Sequence, residues 1–342
     1  MIWPPHHFRT YKAIAPVIRK SADNANFKMQ SSQNYRPEID GLRAIAVLSV
    51  MVYHAAQNVL PGGYVGVDVF FVISGYLITR ILLNAENISG LAVFWTRRAR
   101  RILPALFLVM LASLLAGYTL MTPAEFVALG ESAFAQSLFS SNIYFLRHGG
   151  YFSGESELKP LLHTWSLSVE EQFYLLYPLL IFFLRRYQRA LTAVLAIGFF
   201  ASLTACVFIS LYAPEETLPW TIFGNAPSIN ISFYMLPTRA WQLLAGGLLV
   251  LCPISYPARY AGILALAGIV FIGVSVFSFD SFIHYPGYYA NLPVLGAVLV
   301  IQATENSGTR VGRVLSTDGF RWIGLISYSL YLWHWPLLSF HR

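Results

Sequence analysis

The chain has 342 residues, 56% of them hydrophobic and 11% charged, with a mean hydropathy of +0.56. Soluble domains carry roughly a quarter charged residues, so this composition excludes a soluble globular protein and points to a polytopic, all-α transmembrane helical bundle. The formal charge of +7 does not call for nucleic acid, because the basic residues gather in short loops between apolar stretches, as cytoplasmic loops of membrane proteins do.

Residues 1–34 read as a disordered, basic cytoplasmic tail carrying Arg9, Lys12, Arg19, Lys20 and Lys28. They contain no apolar core of signal-peptide type, and Met29 is an alternative start. The membrane domain runs over 35–342, with apolar spans at 43–60, 64–83, 102–120, 166–184, 190–212, 234–252, 259–278, 288–304 and 322–340. Three arginine clusters should face the cytoplasm: Arg97 to Arg101, Arg185 to Arg189, and Arg310 to Arg321. Nine spans with the amino terminus inside satisfy all three. The weakly apolar stretch 124–146 contains Glu125 and Glu131. As a tenth span it would turn Arg185–Arg189 outward, so it reads as an interfacial or packed helix. Cys206 and Cys252 lie in or beside apolar stretches without metal-ligand spacing; neither a disulfide framework nor a metal site is expected.

Ionisable residues inside apolar spans are costly to insert and mark functional sites. Arg43 and His54 are eleven residues apart, which on a helix is about 16 Å along one face. A neutral His can take a proton from a hydroxyl nucleophile near neutral pH, and an Arg can hold a phosphate or carboxylate. Asp68 opens the second span, and Ser74-Gly75-Tyr76 interrupts it. Arg97, Arg98, Arg100 and Arg101 anchor topology and could also cradle an anionic donor. The stretch LLHTWSLSVEEQFYLLYP places His163 and Glu170 at the outer end of a span, where they could orient each other. Arg239, within another span, needs a partner, and Glu170 is a candidate. The stretch WIGLISYSLYLWHWPLLSF, with Ser327, Tyr328, Tyr331 and His334, reads on its own as an interfacial aromatic belt.

Six blocks, in order, resemble the membrane acyltransferase 3 family: IDGLRAIAVLSVMVYH, GVDVFFVISGYLIT, FWTRRARRILPA, LLHTWSLSVEEQFYLLYP, PTRAWQLLAGG and WIGLISYSLYLWHWP. The resemblance runs from about Tyr35 to Phe340. It implies a bacterial inner-membrane O-acyltransferase that moves acetyl from cytoplasmic acetyl-CoA to a hydroxyl of a surface or exported glycan, lipopolysaccharide included. The family's Arg-x10-His motif falls on Arg43 and His54, its arginine pair on Arg98 and Arg101, its Ser-Gly-Tyr block on Ser74 to Tyr76, and its Glu on Glu170. Family members usually continue past WHWP with another span, and many add an outer SGNH-hydrolase-type domain. This chain stops at Arg342, so it is expected to be truncated.

The mechanism expected from these residues docks CoA phosphates on Arg97, Arg98 and Arg101. The thioester reaches toward His54, which either deprotonates the acceptor or carries the acyl group itself. Ser74 or a freed N–H near Gly75 would serve the oxyanion, and Glu170 or His163 would orient a glycan or lipid-linked sugar acceptor. Arg239 is a further donor-side candidate. No permanently bound cofactor is expected; acyl-CoA, the glycan acceptor and membrane lipids are the partners. Two rival readings use the same residues: a transporter of donor or glycan without chemistry, and an inactive fragment.

Overall fold

A bilayer core offers no water to backbone N–H and C=O groups, so apolar runs of this length fold as helices that satisfy those groups internally. The computed structural model describes residues 35–84, 88–149, 151, 157–211, 226–305 and 308–342, and leaves the basic tail at 1–34 outside the described residues. Among the described residues the elements are helical and none is a strand. In chain order they are α1 (Pro37–Ala55), α2 (Gly66–Leu83), α3 (Ile88–Leu120), α4 (Pro123–Ser137), α5 (Ser141–Arg147), α6 (Thr164–Leu184), α7 (Gln188–Leu211), α8 (Ser228–Tyr234), α9 (Leu236–Leu251), α10 (Ala261–Ser278), α11 (Asn291–Thr304), α12 (Arg310–Leu315) and α13 (Asp318–His341).

Among the described residues five stretches are long and apolar enough to cross a membrane: Gly63–Leu83, Gly90–Leu120, Thr164–Leu184, Gln188–Leu211 and Ala258–Ser278. The other four expected spans are helices that fall short of that standard. At 16 and 14 residues, α9 and α11 are short. Polar groups reduce the hydropathy of α1, which carries Glu38, Asp40, Arg43 and His54, and of α13, which carries Asp318, Arg321, His334 and His341. By length and composition alone, five of the nine expected spans qualify among the described residues. The two polar helices are the ones that carry the histidines described below, in keeping with ionisable residues turned toward a bundle interior.

The stretch 124–146 is divided in two. Thr122 and Glu125 form a reciprocal capping box at the start of α4, with Pro123 in the first turn, a strong local start signal. The chain then breaks at Phe139, whose φ of 51° is left-handed, before the seven-residue α5. Neither piece is long enough to span.

Helix α9 packs against α2 and α7, α10 against α11, and α13 against α3. The α2–α9 crossing is a contact of backbone on backbone. A Cβ at Gly75 would lie 1.8 Å from the Leu243 carbonyl oxygen, and one at Gly246 would lie 2.0 Å from that of Val72. The Ser-Gly-Tyr block thus does not interrupt α2, which is continuous from Gly66 to Leu83. Gly75 supplies close approach of the kind small residues give between membrane helices, rather than a freed N–H.

Candidate active site

Two groups of polar residues occupy the interior, and one side chain belongs to both. The first surrounds a cavity of about 100 Å³. Arg43 from α1, Ser74 from α2, Arg98 and Arg101 from α3, Ser166, Glu170 and Tyr174 from α6, and Ser327, Tyr328 and Tyr331 from α13 line it. Arg98 and Arg101 are three residues apart and so share a helix face. Arg98 stacks over Phe94 and Tyr174, at 5.7 and 5.3 Å from the ring centroids. Neither Arg98 nor Arg101 closes an ion pair with a carboxylate among the described residues. Arg43 has only Asp40, one turn away at 3.5 Å. Glu170 accepts a hydrogen bond from the Ser74 hydroxyl at 2.7 Å, which commits that hydroxyl. Tyr328 Oη donates to the Ile102 carbonyl at 2.9 Å and ties α13 to the arginine end of α3.

The second group is built on histidines. His54, in the last turn of α1, is 3% exposed. Its Nδ1 lies 2.9 Å from Nε2 of His334, and its Nε2 lies 2.7 Å from the Tyr151 hydroxyl. The rings of His54 and His334 lie nearly coplanar, with centroids 5.1 Å apart and 14° between their planes, and Trp335 meets His54 edge-on at 4.3 Å. His163 is buried beside them, its ring 5.6 Å from that of His334, with neither nitrogen hydrogen-bonded among the described residues. Arg342 Nη2 donates to the His54 carbonyl at 2.8 Å, so the end of α1 has the side-chain donor that a helix C-terminus lacks internally. Tyr331 joins the two groups. It lines the cavity, its hydroxyl donates to the His163 carbonyl at 3.0 Å, and its own carbonyl lies 2.6 Å from Nδ1 of His334.

Several sequence expectations change. Glu170 sits with the arginines and Ser74, while His163 sits with His54, so these two do not orient each other. His54 itself does not line the arginine cavity. Arg97 is exposed and outside the lining. Arg239 does not line the arginine cavity and pairs with Asp68 rather than Glu170. It meets Asp68 at 2.9 Å, donates through Nε to the Phe233 carbonyl, and stacks on Phe233, Trp165 and Tyr285. Gln242 and Tyr285 also donate to Asp68. Both carboxylate oxygens of Asp68 are thereby engaged, so the buried charge of Arg239 is paired.

Tyr151 escaped sequence reasoning as a site residue, and Tyr331 and His334 were absorbed into an aromatic belt. Tyr151 lies in an irregular connection, 97 positions from its partner His54, where no periodicity marks it. The only sequence signal for His334 was a His at bilayer depth, the same signal that singled out His54.

A family profile described as an acyltransferase domain matches residues 36–341. The chain is 34% identical over 326 residues to the peptidoglycan O-acetyltransferase OatA of Listeria monocytogenes, covering 90% of this chain and 50% of that protein. It is 31% identical over 327 residues to the O-acetyltransferase OatA of Staphylococcus aureus, covering 90% and 51%. The chain thus spans about half the length of these curated relatives. No solved structure matches. With the profile covering nearly all of the chain past its basic tail, the protein belongs to the membrane acyltransferase 3 family.

Proposed function

We propose that the protein is an integral membrane O-acetyltransferase. It takes acetyl from acetyl-CoA at the cytoplasmic face of the bacterial plasma membrane and delivers it toward a hydroxyl of an exported glycan. The observation that carries this reading is the convergence of Arg43, Arg98 and Arg101 on one cavity that also touches, through Tyr331, a buried histidine pair. The guanidinium groups suit phosphates. A cavity of about 100 Å³ is too small for the nucleotide, which would stay outside with its phosphates on the arginines while the pantetheine arm carries the acetyl group toward His54. The relatives named for peptidoglycan favour a cell-wall glycan over lipopolysaccharide.

In the transfer, His54 Nε2 takes the proton of the attacking hydroxyl as that oxygen bonds to the acetyl carbon. The C–S bond then breaks, and the proton held on Nε2 passes to the departing sulfur, so that CoA leaves as the thiol and His54 is neutral again. The Tyr151 hydroxyl already occupies the position on Nε2 that an incoming hydroxyl needs, so acceptor binding displaces it or uses it.

The test is turnover of labelled acetyl-CoA by the purified full chain in proteoliposomes, with a peptidoglycan fragment as acceptor. Label on the glycan, lost in His54→Ala, supports the reading. Acetyl-CoA binding without release of free CoA in any acceptor series refutes it and leaves a carrier.

A further inference from the structure

His54 is useful as a base only if its outward nitrogen is the bare one, and the hydrogen-bond chain behind it determines which nitrogen that is. The chain ends on the Tyr331 backbone carbonyl, 2.6 Å from His334 Nδ1. A carbonyl only accepts, so His334 Nδ1 must carry a proton. A neutral imidazole carries one, which leaves His334 Nε2 bare and able only to accept. The atom 2.9 Å away, His54 Nδ1, must then be the donor, and His54 Nε2 is left with its lone pair facing the Tyr151 hydroxyl at 2.7 Å. The opposite arrangement needs a second proton on His334. That would put a cation in a pocket where His334 is 5% exposed, with no carboxylate among its hydrogen-bond partners, and an unpaired buried charge is strongly disfavoured.

We propose that His334 is a positioning residue. It hands the tautomer set by the Tyr331 carbonyl on to His54 and so keeps Nε2 of His54 free to take a proton. This is the role that a buried carboxylate plays behind many catalytic histidines, filled here by a neutral ring. Second partners of this kind decide which ring nitrogen is protonated. The inference rests on the reading of His54 as the base. It also gives work to the WHWP block, which composition alone assigns to a belt. The near-coplanar alignment of the two rings, 14° apart with centroids at 5.1 Å, is the one an in-plane N–H···N bond needs, and the edge contact from Trp335 supports it.

Two readouts test it. Solid-state ¹⁵N spectra of histidine-labelled protein in proteoliposomes, with His54 assigned by its loss in His54→Ala, report where its proton sits. The expected result is a single tautomer protonated on Nδ1. His334→Phe, which keeps a ring but offers no acceptor, should allow the other tautomer. His334→Gln, which returns an acceptor oxygen near the position of Nε2, should restore the first. In acetyl transfer, His334→Phe should lower kcat by about 10²-fold, within the range general-base catalysis supplies, at unchanged KM for acetyl-CoA, and His334→Gln should recover most of it. A proton on Nε2 of His54 in the wild type overturns the proposal. So does equal impairment of the Phe and Gln variants, or a Phe variant with unaltered spectrum and kcat. If the Phe variant fails to fold, the wild-type spectrum and the Gln variant decide. If the wild type transfers no acetyl at all, the acetyltransferase reading falls, while the tautomer assignment is judged on the spectrum alone.

Discussion

The Arg239 guanidinium and the Asp68 carboxylate meet at 2.9 Å with side-chain exposures of 1% and 2%, joining α9 to α2 deep inside the bundle. Removing one partner of such a pair strands the other charge, at a cost of about 3–5 kcal/mol. Asp68→Asn and Arg239→Leu are therefore each expected to lower the midpoint of thermal unfolding in detergent severely. The double variant Asp68→Leu with Arg239→Met should recover much of the loss, because replacing both charges leaves nothing unpaired. A double variant no more stable than the worse of the single ones would show that the pair contributes net stability of its own.

Donor affinity should divide the arginines. Each charge-assisted contact from Arg98 or Arg101 to a phosphate contributes about 1–3 kcal/mol, so Arg98→Ala and Arg101→Ala should raise KM for acetyl-CoA by roughly 5- to 150-fold. If the contacts are equal in the ground and transition states, kcat barely changes. Arg97→Ala should change KM by less than about 2-fold, as surface substitutions do. Wild-type KM in the Arg98 and Arg101 variants would reduce that run to a topology anchor.

His54→Ala is expected to show the reverse pattern. It should cut kcat by about 10²- to 10⁴-fold, the span that a positioned base supplies, with acetyl-CoA binding measured by calorimetry unchanged. Near-normal turnover would make His54 a packing residue.

Glycine positions offer a stability test that does not depend on activity. Gly75→Ala pushes a methyl group to 1.8 Å from a backbone oxygen that cannot move without its helix. The expected cost is at least about 3 kcal/mol, the upper end of overpacking penalties. Gly130→Ala on α4 meets nothing within 4 Å and should stabilise the protein by up to about 1 kcal/mol through helix propensity. Thermal unfolding of both variants reads the difference, and a neutral Gly75→Ala would refute the close α2–α9 crossing.

What the sequence made legible follows the reach of local spacing. Arg43 and His54 do share helix α1, and Arg98 and Arg101 do share one cavity, because a helical repeat of 3.6 residues carries that information within a single element. Pairings between helices were not legible. Arg239 had two carboxylates to choose from, and only the packing of α9 on α2 selects Asp68 over Glu170. Gly75 was read as a break because glycine weakens isolated helices. Its use as a contact point depends on Leu243, far along the chain. The nine-span expectation counts α1 and α13, whose polar residues lower their hydropathy; His54 finds His334 280 positions along the chain, a pairing that hydropathy alone cannot see.

One rigid helix carries Arg43 near one end and His54 at the other, and this makes α1 a ruler. Along the backbone, the distance from anchor to base is set by the rise of the helix, about 16 Å. A donor gripped by its phosphates at the arginine end must therefore carry its acetyl group on an arm of comparable length. The pantetheine chain of CoA is such an arm. Acetyl phosphate, whose charge and acyl carbon are neighbours, is not; it should compete with acetyl-CoA for the arginines and yet donate nothing. In this geometry the choice of donor is a matter of length before it is one of chemistry.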